Sequence, residues 1–160
     1  MTEDATIATQ HIVDQLRMAF PQSGIEPVAA KDPTVRVKPE HLVEVATYLR
    51  DQAGLDYLSH VTGIDYSDRI EVLYYLYSMR RHLGPLALLV SLSREDPQVP
   101  SLVSLWSGAD WQEREVYDLL GVVFTGHPNL KRILLWDGFP GYPLRKDFQG
   151  EPEPPFRHSY

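Results

Sequence analysis

The chain contains no cysteine. That absence excludes disulfides, thiolate zinc sites, cysteine nucleophiles and cysteine-ligated iron–sulfur clusters, and it is compatible with a reducing compartment. No block of Lys and Arg is present, and the formal net charge is −7. Binding driven by neutralising phosphates needs the opposite sign, so a nucleic-acid partner is not expected. No apolar run approaches the roughly 18–20 residues that cross a bilayer, and the opening Met1-Thr-Glu-Asp has no apolar core of signal-peptide type. Any membrane association is therefore expected to run through a partner. No Gly-x-Ser-x-Gly, P-loop or Gly-x-Gly-x-x-Gly occurs. The histidines, His11, His41, His60, His82, His127 and His158, form no i,i+4 pair of the kind that binds a metal.

What is present describes one domain. The 160 residues are 43% hydrophobic and 23% charged, enough for a real core. Apolar spacing predicts an amphipathic helix over 5–20, ended by Pro21, with short extended pieces over 25–30 and 34–38. Pro39 suits the first turn of a second helix that runs to Gly54. The period then changes: 57–65, 69–79 and 86–93 read as three strands of an antiparallel meander. Ile70, Val72, Tyr74 and Leu76 alternate with Glu71, Leu73, Tyr75 and Tyr77 in the second, which makes it central. A loop is expected over 95–100 and a third helix from about Asp110 to Leu120. For that helix Asp110 and Glu113 have the spacing of a capping box, and Gly121 fits the C-terminal stop.

These elements imply an α+β fold, a two-layer sandwich of helices on a mainly antiparallel sheet, followed by an extended C-terminal arm. The division falls at 126. Residues 1–126 form the domain, and 127–160 form a turn-rich, partner-binding arm with a Pro-rich tail. Charge divides in the same place, with a balance of −8 over 1–126 and +2 over 127–148. Pro128, Gly138, Pro140, Gly141 and Pro143 prevent regular structure in the arm. Ile133, Leu134, Leu135, Trp136, Phe139, Tyr142, Leu144 and Phe148 are too apolar for a solvated linker, so the arm is expected to lie on a surface, its own or a neighbour's.

The segment 113–134 carries the densest chemistry. Glu113 and Glu115 lie two apart on a helix and point away from each other, so they do not converge as an acid/base pair. Arg114 and Asp118 have pairing distance, and Glu113 faces Tyr117 in the same way. Trp111, Val116, Tyr117, Leu119 and Leu120 surround these charges, so they are expected to buttress the arm or bind a partner rather than form a solvated ladder. His127, ahead of Pro128 in a turn, is expected to tie backbone groups through its ring nitrogens. In 143–148, Arg145 and Lys146 are placed to grip a partner's carboxylates while Leu144 and Phe148 anchor in pockets.

Glu113-Arg-Glu-x-x-Asp118-Leu-Leu, His127 seven residues beyond Leu120, and Lys131-x-Ile-Leu134 together resemble the signature of the thirty-kilodalton subunit of the proton-pumping NADH:quinone oxidoreductase, respiratory complex I. Gly141-Tyr-Pro-Leu-Arg-Lys-Asp-Phe148 looks like that family's downstream element, and His60-Val-Thr-Gly-Ile-Asp-Tyr66 resembles part of its domain body. The likeness spans about 40–148. It implies a hydrophilic subunit of the peripheral arm without a cofactor of its own, FMN and iron–sulfur clusters residing in partner subunits. Its neighbours would be the large quinone-site subunit and iron–sulfur subunits. Location would be the cytoplasmic side of the cell membrane, reached only through the complex, where electrons pass from NADH to quinone with proton translocation. Trp111, Glu113, Arg114, Glu115, Tyr117, Asp118, His127, Pro128, Lys131, Arg132, Leu144, Arg145, Lys146, Asp147 and Phe148 would then be interface and assembly residues, with no catalytic residue and no metal ligand among them. Some members are fused to the large quinone-site subunit; this chain reads as free-standing. Equivalent subunits of ferredoxin-dependent photosynthetic complexes and membrane-bound hydrogenases share the signature. From a different class, a free-standing hydrolase or lyase would use Glu113, Asp118 and His127.

Overall fold

The structure, a computed structural model, describes residues 3–150, with side chains from residue 11 onward. Most of the expected Pro-rich tail, and the side chain of Ile7, lie outside them. Helix α1 (Glu3–Ala19) stops just before Pro21 and buries Ile12, Val13 and Leu16 while Met18 stays in water. Strands β1 (Glu26–Val28) and β2 (Thr34–Arg36) pair antiparallel. Pro39 opens a 3-10 turn, Pro39–His41, which leads into α2 (Leu42–Asp51). Strands β3 (Tyr57–Asp65), β4 (Arg69–Ser78) and β5 (Leu83–Ser93) form the expected antiparallel meander. The sheet order is β1-β2-β5-β4-β3, which leaves β4 internal, as its two apolar faces require.

Two pairings differ from expectation. Strand β2 joins β5 in parallel. A further strand, β6 (Gln98–Pro100), occupies the expected loop. The chain then turns into helix α3 (Ala109–Leu120) and returns as β7 (Val123–Thr125), parallel to β6. Three-residue strands have no readable period, and their stabilising partners are distant in sequence, so neither pairing has a local signature. The β6–α3–β7 unit is a helical crossover between parallel strands.

Ile70, Val72, Tyr74 and Leu76 of β4 lie opposite Leu92, Val90, Leu88 and Leu86 of β5. This face packs with the apolar sides of α1, α2 and α3 into a single core. Helix α3 lies against the edge strand β3. Gln112 Oε1 accepts the Val61 N–H at 2.7 Å, capping an edge group that would otherwise invite another strand. At Gly63 a side chain would run into Leu120 and Val116, so the close approach of α3 to the sheet needs glycine there.

Candidate partner interface

Helix α3 carries two buried carboxylates, Glu113 and Asp118, both with no measurable exposure. Burial alone disfavours either charge strongly; what surrounds each one decides its state. Asp118 Oδ2 accepts three successive backbone N–H groups of the arm, Ile133 at 2.9 Å, Leu134 at 2.7 Å and Leu135 at 3.0 Å. Its Oδ1 receives Arg132 Nη1 at 2.9 Å. Burial pushes the Asp118 carboxyl up, but the three N–H groups and the guanidinium outweigh it, and its pKa falls below the ordinary value. Arg132 continues outward, donating to the carbonyls of Asp118, Phe139 and Gly141 at 3.0, 3.3 and 3.1 Å. One side chain on the helix thus shapes the arm over 132–141.

Glu113 has fewer partners. Ser101 Oγ donates to Oε2 at 2.6 Å and the Leu102 N–H to Oε1 at 2.7 Å. No cation pairs with it among the described residues. Burial, opposed by these two donors and reinforced by nearby Asp110, raises its pKa from 4.5 to about 7.

The second half of the arm is fastened separately. Arg145 Nε donates to the Leu120 carbonyl at 2.7 Å and its Nη1 to the Arg94 carbonyl at 3.5 Å. The Lys146 N–H reaches Asp65 Oδ2 at 2.7 Å, and Arg94 pairs with both Asp65 and Asp147. Burial raises the Asp65 carboxyl, but the Arg94 bond and the Lys146 N–H turn the net shift downward. Trp136 meets Phe139 edge-on, with centroids 4.8 Å apart, and Phe139 stacks on Phe148 at 5.9 Å. This small aromatic cluster accounts for much of the arm's apolar content. Gly121 ends α3 in the left-handed conformation, φ 74°, with the Tyr142 ring lying where a side chain would be. Gly121→Ala is expected to combine the left-handed penalty with displacement of Tyr142, costing about 1–3 kcal/mol in urea unfolding and loosening 142–148. An unchanged unfolding midpoint would contradict this.

Several expected contacts are replaced by others. Arg114 does not pair with Asp118. Its Nε donates to the Lys131 carbonyl at 3.2 Å and its guanidinium lies over Trp111, 4.8 Å from the ring centroid. Asp118 takes Arg132 and the arm because an exposed i,i+4 pair contributes only a few tenths of a kcal/mol, whereas a buried carboxylate needs several donors. Glu113 bonds Ser101 and Leu102 rather than facing Tyr117. No capping box forms: α3 is capped at Gly108 without a side-chain bond, and Asp110 lies inside the first turn. Arg145, placed by sequence to grip a partner, uses its guanidinium on carbonyls of this chain. Phe148 stacks within the arm.

His127 does tie backbone groups. Its side chain is buried, Nδ1 accepts the Asn129 N–H at 3.0 Å, and Nε2 therefore carries the proton and donates to the Asp110 carbonyl at 3.2 Å. Glu113, Asp118 and His127 each serve a different partner and form no acid/base constellation, which leaves the hydrolase reading without a geometry. Ser101, Asp65 and Arg94 were not singled out from sequence. Asp65 sits at a strand end beside the polar turn Tyr66-Ser-Asp68, so nothing local marks it as a buried charge.

Facing water are Trp111, Leu134 and Leu144, exposed by 65%, 61% and 60%, together with Glu115, Pro128, Lys131, Lys146 and Asp147. Tyr117 is half-buried against the core. Leu144 walls a cleft of about 70 Å³ between α3 and β3, lined also by His60, Gly63, Glu115 and Leu119. The charged helix and the internally braced arm thus leave three large apolar side chains in water.

A family model described as "Respiratory-chain NADH dehydrogenase, 30 Kd subunit" matches residues 35–154. An NADH-quinone oxidoreductase subunit of Moorella thermoacetica is 39% identical over 145 residues, covering 89% of this chain and 97% of that protein. Its counterpart from Roseiflexus castenholzii is 48% identical over 122 residues, covering 72% and 69%. Among solved structures, a trypsin-resistant fragment of Nqo5 superposes with a TM-score of 0.63 at 28% identity, covering 77% of this chain and 99% of the fragment. A chain of the membrane-bound sulfane sulfur reductase, an archaeal respiratory membrane complex, gives a TM-score of 0.73 at 21% identity over 88% and 85%, which establishes a shared fold. The chain belongs to the family of the 30 Kd subunit of respiratory-chain NADH dehydrogenase.

Proposed function

We propose that this chain is a non-catalytic, cofactor-free structural subunit, joined to the large quinone-site subunit and neighbouring iron–sulfur subunits through α3 and the arm. As a member of the 30 Kd family it is part of a membrane-associated NADH-quinone oxidoreductase complex. FMN and iron–sulfur clusters in the partner subunits would carry electrons from NADH to quinone, with proton translocation, while this chain in the peripheral arm, on the cytoplasmic side of the membrane, holds their housing together. Among the described residues no helix is long and apolar enough to cross a membrane; attachment through partners is part of the proposal.

The observation that carries the reading is the division of labour in the arm. Its backbone is tied inward to Asp118 and Asp65 and its Arg132 pairs with Asp118, while Leu134 and Leu144 of the arm and Trp111 of α3 remain in solvent. An arm fixed in advance presents its anchors at little entropic cost on binding. The absence of cysteine removes the usual ligands for an iron–sulfur cluster in this chain.

The double substitution Leu134→Asp, Leu144→Asp tests it. Both side chains already face water, so the thermal midpoint of the isolated chain should stay within about 3 °C. Recovery of the large subunit with a tagged chain from solubilised membranes, identified by mass spectrometry, should fall about tenfold or more. Undiminished recovery would overturn the placement of the interface. Flavin or iron–sulfur absorption in the purified chain alone would overturn the cofactor-free reading.

A further inference from the structure

A buried carboxylate with few donors lies where the arm leaves the domain. Ser101, at the end of β6, donates its backbone N–H to the Thr125 carbonyl at 2.9 Å, and its hydroxyl to Glu113. Leu102 donates its N–H to the same carboxylate. Residues 101–103 therefore hang from Glu113 on one side and from the end of β7 on the other, two residues before His127. The groups facing Glu113 come from each packed element. On α3 itself are Asp110, whose Oδ1 is buried without a hydrogen bond, and Arg114, turned away to Lys131 and Trp111. From β4 comes Tyr74, whose hydroxyl is buried without a partner. His127, at the arm root, bears on Asp110 instead, with Nε2 3.5 Å from Asp110 Oδ1. Among the described residues no ion pair reaches the Glu113 carboxylate, whose hydrogen-bond partners are Ser101 and Leu102.

The neutral acid suits this pocket. One oxygen accepts the Leu102 N–H, and at the 2.6 Å contact the acid O–H can donate to Ser101 Oγ, which then accepts from both Glu113 and the Val103 N–H. The ion does not: five amino acids along the same helix, Asp118 keeps its charge only with three N–H groups and a guanidinium around it. We propose that Glu113 is a proton-operated latch at the root of the arm, closing residues 101–103 onto α3 while it holds a proton and favouring their opening to water when the proton leaves.

The raised pKa, about 7 against an ordinary 4.5, puts the working range of such a latch between those values. An opened loop would hydrate Glu113 and release its proton, so opening should become easier with rising pH until about pH 7 and then level off. Whatever holds the loop shut is, by reciprocity, coupled to proton uptake at Glu113. The latch rests on the contacts within this chain and stands or falls independently of which partner the arm meets.

Amide hydrogen exchange on the full chain, corrected for the intrinsic pH dependence of exchange, tests it. Protection at Ser101 and Leu102 should fall about tenfold per pH unit from pH 5 to 7 and then plateau. In Glu113→Gln, whose amide reproduces the donor and acceptor of the neutral acid, protection should be high and independent of pH. A flat profile in the unsubstituted chain overturns the latch. So does the same slope in Glu113→Gln, which would assign the titration to another group. If Ser101 and Leu102 exchange only as slowly as the β4 core amides, there is no separate opening, and the latch fails on that ground. The last criterion needs no substituted protein to fold.

Discussion

Asp118→Ala is expected to destabilise the isolated chain by about 3–5 kcal/mol, the usual effect of removing one partner from a buried, hydrogen-bonded charge pair. The prediction follows from what is left behind. Three consecutive N–H groups, those of Ile133, Leu134 and Leu135, lose their shared acceptor, and Arg132 loses its anion. Each stranded donor costs about 1–3 kcal/mol if it stays dry. The less costly outcome is for the arm to lift and hydrate them, surrendering the Trp136–Phe139–Phe148 contacts. The loss should therefore be capped by undocking of the arm, with the sheet retained. Urea unfolding followed by tryptophan fluorescence, which Trp136 reports, should show an early arm transition before the main one. Arg132→Ala should cost less than Asp118→Ala, because the guanidinium is partly hydrated and the three N–H groups keep their acceptor. Equal losses would mean that the ion pair, not the N–H cluster, holds the arm.

How much of this was readable beforehand follows from the range of each interaction. Period-two alternation marked β4 because a strand's neighbours in sequence report its two faces, and β-branched and aromatic content marked β3 and β5. The helical spacing of Leu42, Val43, Ala46, Leu49 and Arg50 marked α2, but Val43 stays exposed and Val45 takes the core position. His127 was readable as a turn anchor because Pro128 and Gly126 define its surroundings locally. The partners of Glu113 and Asp118 were not. Helical geometry supplies only i,i+3 and i,i+4 candidates, which produced the Arg114–Asp118 pair. The observed partners come from a crossover loop before the helix and an irregular arm after it. The excess of charge among apolar residues correctly demanded partners, but their identity is a property of the tertiary fold. The short parallel strands β6 and β7 belong to the same class: three residues long, each is specified by the other.

Opposite titrations on one helix give the second large effect, an acid-shifted stability profile that Glu113→Gln should reverse. Asp118 and Asp65 have pKa values lowered by folding, so their contribution is present above their unfolded pKa and is lost as pH falls through the folded one. That loss lies on the acid side, below the ordinary carboxylate range. Glu113 behaves in the opposite sense. Its folded pKa of about 7 exceeds the ordinary 4.5, so the folded state binds the extra proton and its stabilisation is complete below 4.5 and lost as pH rises to 7. A shift of that size corresponds to about 3 kcal/mol. The unsubstituted chain should thus be most stable near pH 4.5–5, between the two losses, and not across the usual pH 5–8 plateau. Gln at 113 carries no charge to bury. It should match the unsubstituted chain at pH 5 and exceed it by about 2–3 kcal/mol at pH 8, extending the plateau to neutrality. Urea midpoints for the two proteins across pH 4–8 decide the matter. Parallel curves would mean that Glu113 is hydrated or paired more fully than its two hydrogen bonds allow, whereas a difference that grows between pH 4.5 and 7 and then stays constant would assign the slope to this carboxyl.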